Sequence, residues 1–157
     1  MIATFTLFFV VLGFTTLNTN ALTFDTLPKK QTTKQWSVQL GEPEQGKGLA
    51  KPEKGKFNTY SLEVNNIGND VSSIEVNMFR NEPNSKTKFS LFSCPSLEGE
   101  DCNQRATSLA KQLNDGNPLR YKNFLLNEKA TELEVEILWT QNSNRRLLKE
   151  TFIFTTE

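Results

Sequence analysis

The stretch NTYSLEVNNIGNDVSSIEVNMFR, residues 58–80, decides the fold class because apolar and polar side chains alternate in it twice. Alternation with a period of two is typical of a β-strand that buries one face. The intervening segment NNIGND, residues 65–70, is rich in turn-forming residues. The stretch therefore predicts two strands joined by a short loop. Their predicted inward residues are Tyr60, Leu62, Val64, Ile74, Val76 and Met78.

The same alternation recurs on both sides of this stretch and predicts about seven strands in total. The further strand segments are WSVQL (36–40), KTKFSLFSC (86–94), LRYKNFLL (119–126), ELEVEILW (132–139) and LLKETFIF (147–154). Short strands of this kind, separated by polar turns, favour an antiparallel β-sandwich. Only ATSLAKQL (106–113) favours a helix, which NDGNP (114–118) ends. We expect one or two helical turns that cover one end of the sandwich.

The strand–NNIGND–strand segment resembles those of exported bacterial immunoglobulin-like domains. The resemblance implies an all-β fold, namely an antiparallel immunoglobulin-like sandwich of about seven strands with one short helix. It covers residues 58–80 and carries no functional residue with it.

Residues 1–21 predict an export signal. They have no charged side chain, and the apolar segment LFFVVL (7–12) precedes polar residues and the small residue Ala21. This run is shorter than the roughly 20 residues of a membrane-spanning helix, so no stable membrane anchor is expected. The start lacks Lys and Arg, so either the true start lies upstream or the signal is atypical. The alternatives to export are a buried N-terminal strand or helix and a retained membrane anchor. Cleavage would leave an N-terminal arm (22–35) and a sandwich domain (36–157) on an exported protein, either periplasmic or secreted.

Charge and composition exclude several classes of function. The chain has 18 basic and 18 acidic residues, so it has no electrostatic reason to bind nucleic acid. It has no His, which excludes Ser-His-Asp and Cys-His catalysis. Glu132, Glu134 and Glu136 could form a carboxylate-based hydrolase, but we interpret them as a solvated strand face. We expect no cofactor and no metal ion, and we predict that the protein is not an enzyme.

The two cysteines of the chain, Cys94 and Cys102, enclose the segment PSLEGED. In an oxidising compartment such a pair predicts a structural disulfide. In the chain-entropy model a closed loop of about nine residues contributes about 2.5 kcal/mol. The alternatives are a metal site completed by acidic side chains of this loop, free thiols, or thiols that pair between molecules.

Residues 41–56, GEPEQGKGLAKPEKGK, predict a long loop between two strands. Gly41, Gly46 and Lys47 have the spacing of a phosphate-binding loop, but Gly48 stands where Ser or Thr would hold magnesium. Loops this long are uncommon in compact domains and often bind partners. The candidate contact residues are Gly41, Gly46, Lys47, Gly48, Lys51, Lys54 and Lys56.

These patterns favour a non-enzymatic binding domain whose loops contact an unknown protein or cell-surface partner. The alternative is a structural surface or fimbrial subunit that assembles by strand addition, with the arm as donor strand. The first hypothesis predicts a monomer, and the second predicts a strand-exchange oligomer.

Overall fold

The structure, a computed structural model, describes residues 23–24, 26–82, 85–92, 102–141 and 144–155. Within these ranges it contains eight strands and one helix. In chain order they are β1 (Lys29–Thr32), β2 (Trp36–Gly41), β3 (Phe57–Asn66), β4 (Ser73–Arg80), β5 (Phe89–Phe92), α1 (Cys102–Asn114), β6 (Leu119–Asn127), β7 (Glu132–Gln141) and β8 (Asn144–Thr155). All seven predicted strands form, and β1 is an additional strand.

The strands form two four-stranded sheets in which every neighbouring pair is antiparallel. The first sheet has the order β1-β2-β3-β6, and the second has the order β5-β4-β7-β8. Because β3 and β4 belong to different sheets, residues 67–72 cross from one sheet to the other. The predicted all-β sandwich is therefore confirmed.

The core lies between the two sheets and is built by the alternation seen in the sequence. All six inward residues predicted for the 58–80 stretch are buried. Trp36 of the first sheet meets Trp139 of the second edge to face, with ring centroids 5.5 Å apart. Aromatic pairs in this geometry contribute about 0.5–1.5 kcal/mol beyond the area that they bury.

Helix α1 has 13 residues, which is longer than predicted, and it packs mainly against β4. Strand β5 pairs only with Met78, Phe79 and Arg80, so the first half of β4 has no strand neighbour on that side. The helix packs there through buried Ala110 and Leu113. It ends as predicted, since Gly116 adopts a positive φ of 79° that a residue without a side chain tolerates.

Part of the predicted N-terminal arm belongs to the first sheet. Residues 29–32 pair with β2 as an edge strand, and Phe24 is buried against Tyr60 with ring centroids 5.3 Å apart. The predicted export signal lies outside the described residues. Within the described ranges, no helix combines the length and apolar character needed to cross a membrane.

Candidate binding loop

The loop of residues 42–56, hereafter the 42–56 loop, does not join β2 to β3 by the shortest route. It passes over β3, where the Ser61 hydroxyl donates a hydrogen bond to the Glu42 carbonyl at 2.7 Å. It then reaches β6, where the Glu44 amide donates to the Lys122 carbonyl at 2.9 Å. Since β6 is an edge strand of the first sheet, the loop covers a sheet edge that would otherwise expose unpaired backbone.

Asn123 ties two separate points of the loop to β6. Its side-chain Nδ2 donates to the Ala50 carbonyl at 3.1 Å and to the Glu44 carbonyl at 3.4 Å. These acceptors lie 73 and 79 residues from Asn123 in the sequence. One amide therefore holds both the start and the middle of the loop on the sandwich.

The end of the loop is held by a tight turn and by a residue of the β6–β7 connection. Glu53 and Phe57 form an isolated antiparallel bridge, with both amide-to-carbonyl distances at 2.9 Å. The Gly55 amide donates to Glu128 Oε1 at 3.0 Å, and the Glu128 amide donates to the Lys56 carbonyl at 3.0 Å. Gly55 has a φ of 82°, a conformation that side chains disfavour.

The lysines of the loop fall into two groups. Lys56 forms an ion pair with Glu53 at 2.6 Å. Lys47, Lys51 and Lys54 are exposed and make no ion pair within the described ranges. The loop therefore has a fixed backbone but presents three ammonium groups that the described chain does not neutralise.

The seven predicted contact residues do not all lie in this exposed segment. Six of the seven are exposed in the 42–56 loop. Gly41 is instead the buried last residue of β2, where an added Cβ would lie 3.0 Å from the Ser61 hydroxyl. Gly48 has a φ of 86° in an exposed turn. No helix follows Lys47 in residues 48–56, so the loop lacks the helix N-terminus that a phosphate-binding loop requires.

A shallow depression of about 160 Å³ lies at the base of the loop, on the outer face of the first sheet. Glu63 and Arg120 line it and form an ion pair at 2.8 Å. The pKa of the Glu63 carboxyl is held below its ordinary value, mainly by a hydrogen bond from the side-chain amide of Asn65 and further by a hydrogen bond from Arg120. The depression therefore contains an ion pair whose two charges neutralise each other.

A larger cavity of about 300 Å³ lies beneath α1. It is lined by apolar residues of β4, α1 and β6 together with Glu75, Arg105 and Tyr121. Burial raises the pKa of the Tyr121 phenol above its ordinary value, and Arg105 partly opposes this effect. Cys102, the first residue of α1, also lines the cavity, whereas Cys94 lies outside the described residues, so the structural disulfide stays a prediction.

The prediction that Glu132, Glu134 and Glu136 form a solvated strand face is wrong for Glu134, whose side chain is buried. The Lys88 ammonium folds over the outer face of the sheet onto this carboxylate, and Lys149 does the same to Glu136. The hydrogen bond to Glu134 raises the pKa of Lys88. Within the described ranges, no three Cys, Asp or Glu side chains are grouped so that they could hold a metal ion.

Replacing Asn123 by Ala should release the loop without unfolding the sandwich. Losing two hydrogen bonds of about 1 kcal/mol each should raise the population of the detached loop at least tenfold. Trypsin cleavage after Lys47 or Lys54 follows this population, so its rate should rise by about the same factor. The matched control is Gln45→Ala, which removes an exposed amide of the same loop that makes no hydrogen bond among the described residues. Equal cleavage rates for the two variants would contradict the anchoring role of Asn123.

Comparison with known proteins identifies the family of the chain. Residues 20–157 match the model of the YozF-like secreted proteins. The chain is 45% identical over 152 residues to the uncharacterised protein YozF of Bacillus subtilis (strain 168), an alignment that covers 95% of this chain and 92% of that protein. No solved structure matches the chain. The family description confirms the expectation of an exported protein, and the chain belongs to the YozF-like secreted protein family.

Proposed function

We propose that this secreted protein is a non-enzymatic binding domain that holds a protein or cell-surface partner through the 42–56 loop. The observation that carries the proposal is a loop fixed at its backbone, with Lys47, Lys51 and Lys54 exposed and unpaired within the described ranges. A loop already held in one shape loses little conformational entropy when it binds. Three lysines that make no ion pair in the described chain favour a partner that presents acidic groups.

The absence of catalysis is part of this proposal. A carboxylate-based hydrolase needs one carboxyl group that can donate a proton and a second that can approach the substrate. On β7, the carboxylates of Glu134 and Glu136 are instead held by the ammonium groups of Lys88 and Lys149. Both carboxylates are therefore occupied by a neighbouring ammonium group and are not free to contact a substrate.

We also propose that the sandwich is immunoglobulin-like, and the strand order supports this. In the constant-type immunoglobulin fold, strands A, B and E share one sheet while C, F and G share the other. Here β2, β3 and β6 correspond to A, B and E, and β4, β7 and β8 correspond to C, F and G. Strands β1 and β5 extend the two sheets at their edges. Loops between the strands of such sandwiches commonly bind partners.

The arm-donating structural subunit is the less favoured function. Residues 29–32, the middle of the predicted donor arm, already pair with β2 of the same chain. Donation to another molecule would require these hydrogen bonds to break and Phe24 to leave the core. The loop-binding function needs no such rearrangement.

A disulfide between Cys94 and Cys102 is the structural part of the proposal, since it would close the segment that leads into α1. Treatment of the unreduced secreted protein with an alkylating agent should add no mass. After reduction and denaturation, the same treatment should add two alkyl groups, because the chain has two cysteines. Alkylation before reduction would instead indicate free thiols. Comparing the periplasmic fraction, where the host has one, with the medium would also show which of the two holds the protein.

Replacing Lys47, Lys51 and Lys54 together by Ala should abolish most partner binding. The matched control replaces Lys34, Lys86 and Lys111, which are exposed, make no ion pair among the described residues and change the net charge equally. Saturation binding of the labelled protein to intact producer cells and to their total secreted proteins is the measurement. We expect at least a tenfold weaker affinity for the loop variant, about 1.4 kcal/mol, and less than a twofold change for the control.

Equal affinities of the two triple variants would exclude the loop as the contact surface. An unmodified protein that binds neither cells nor secreted proteins would contradict the binding function itself.

A further inference from the structure

Strand β8 leaves part of a sheet edge uncovered. It is the outermost strand of the second sheet and has 12 residues. Near its end, Gln31 Nε2 donates to the Ile153 carbonyl at 2.7 Å, and Lys29 Nζ donates to the Thr155 carbonyl at 3.4 Å. Side chains of β1 thus cover the last residues of this edge, while nothing among the described residues covers the part before Ile153.

The uncovered part of the edge presents its backbone outward. Since the carbonyls of Ile153 and Thr155 face away from β7, the two-residue period makes the backbone groups of Lys149 and Thr151 face away as well. These groups have no hydrogen-bond partner in the part of the chain that the structure describes. Beside them, the side chain of Leu147 is 60% exposed.

Two opposite charges on this segment lack partners. Glu150 is half-buried between the inward residues Leu148 and Phe152, and its Oε2 atom is buried without a hydrogen bond in the described chain. A buried carboxylate oxygen without a partner costs free energy. Arg146, four residues earlier, is exposed and makes no ion pair among the described residues.

We propose that two copies of this protein associate by antiparallel pairing of their β8 strands about a two-fold axis at Leu148. In this register Leu147 lies opposite Lys149 of the second copy, whose backbone groups face outward. Arg146 lies opposite Glu150 of the second copy, and the symmetry creates this ion pair twice. The dimer joins two four-stranded sheets into one continuous sheet.

The inward carboxylate of Glu150 is the reason to assign the added strand to a second copy of this protein and not to a different protein. An inward charge on an edge strand ordinarily prevents strand addition, because the incoming strand would bury it without a counter-charge. The segment RLLKE, residues 146–150, carries opposite charges at equal distances from Leu148. An isologous contact requires a self-complementary surface, and the segment 146–150 is self-complementary in charge.

The local backbone permits this arrangement. The β7–β8 register shifts between Trp139 and Gln141, so the regular part of the edge begins at Leu148. Arg146 and Leu147 lie within this shift, between the paired residues Asn144 and Leu148, and the exposed side chain of Arg146 is long enough to reach a carboxylate opposite it. The 42–56 loop lies on β6, at the far edge of the other sheet from β1 and its contact with β8, so dimer formation leaves it uncovered and does not depend on its function.

Analytical ultracentrifugation of the secreted protein, from micromolar to about 1 mM, tests the proposal. The unmodified chain should form a dimer that dissociates on dilution. Arg146→Glu places two glutamates opposite each other, and Glu150→Arg places two arginines opposite each other, so each single variant should raise the dimer Kd at least about tenfold. An equimolar mixture of the two variants restores both ion pairs in a heterodimer, so it should recover the dimer.

Circular dichroism checks that each variant is folded. If Glu150→Arg fails to fold, Lys149→Pro serves in its place, since it removes an outward N–H that makes no bond to β7 and should prevent dimer formation. The proposal is overturned by a monomer at all concentrations, by folded single variants that dimerise like the unmodified chain, or by folded variants whose mixture stays monomeric.

Discussion

The unpaired backbone at the four edges of two open sheets is the constraint from which most of this structure follows. A sandwich buries the faces of its sheets, but each edge strand still presents N–H and C=O groups that need a partner. Here the 42–56 loop covers β6, helix α1 covers the open side of β4, and side chains of β1 cover the end of β8. The loop proposed to bind a partner is thus first of all a cover for an edge strand.

Covering an edge also gives the loop its rigidity. Its anchors are backbone atoms of Glu44 and Ala50 held by β6, and the turn at Gly55 held by Glu128. Backbone anchoring leaves the side chains between the anchors available, and three of these are lysines without an acidic partner in the described chain. In a protein of balanced charge, this local excess is a physical reason to expect an acidic partner.

Most of the fold could be predicted from the sequence because burial of alternate residues leaves a visible pattern. All six inward residues of the 58–80 stretch are buried. Strand β1 was not predicted, because Lys29–Thr32 has no apolar residue and forms through pairing with β2. The burial of Glu134 was missed for a similar reason, since Lys88, 46 residues away in the sequence, covers it.

The candidate site was predictable in position but not in structure. Length and composition indicated a binding loop, yet its anchors lie on β6, and no local pattern links Asn123 to Ala50 across 73 residues. By contrast, the sequence places Glu150 on the same strand face as Leu148 and Phe152, which favours an edge position for this strand, and the sheet order confirms that β8 is an edge strand.

Amide hydrogen exchange on the secreted protein, resolved to single residues, tests most directly whether the 42–56 loop is held in one conformation. The amides of Glu44, Glu53 and Gly55 donate hydrogen bonds to Lys122, Phe57 and Glu128, whereas those of Gln45 and Lys47 donate none among the described residues. A fixed loop predicts slow exchange at the first three and fast exchange at the other two. Fast exchange at all five would show that the loop detaches from β6, which would contradict a binding surface formed in advance.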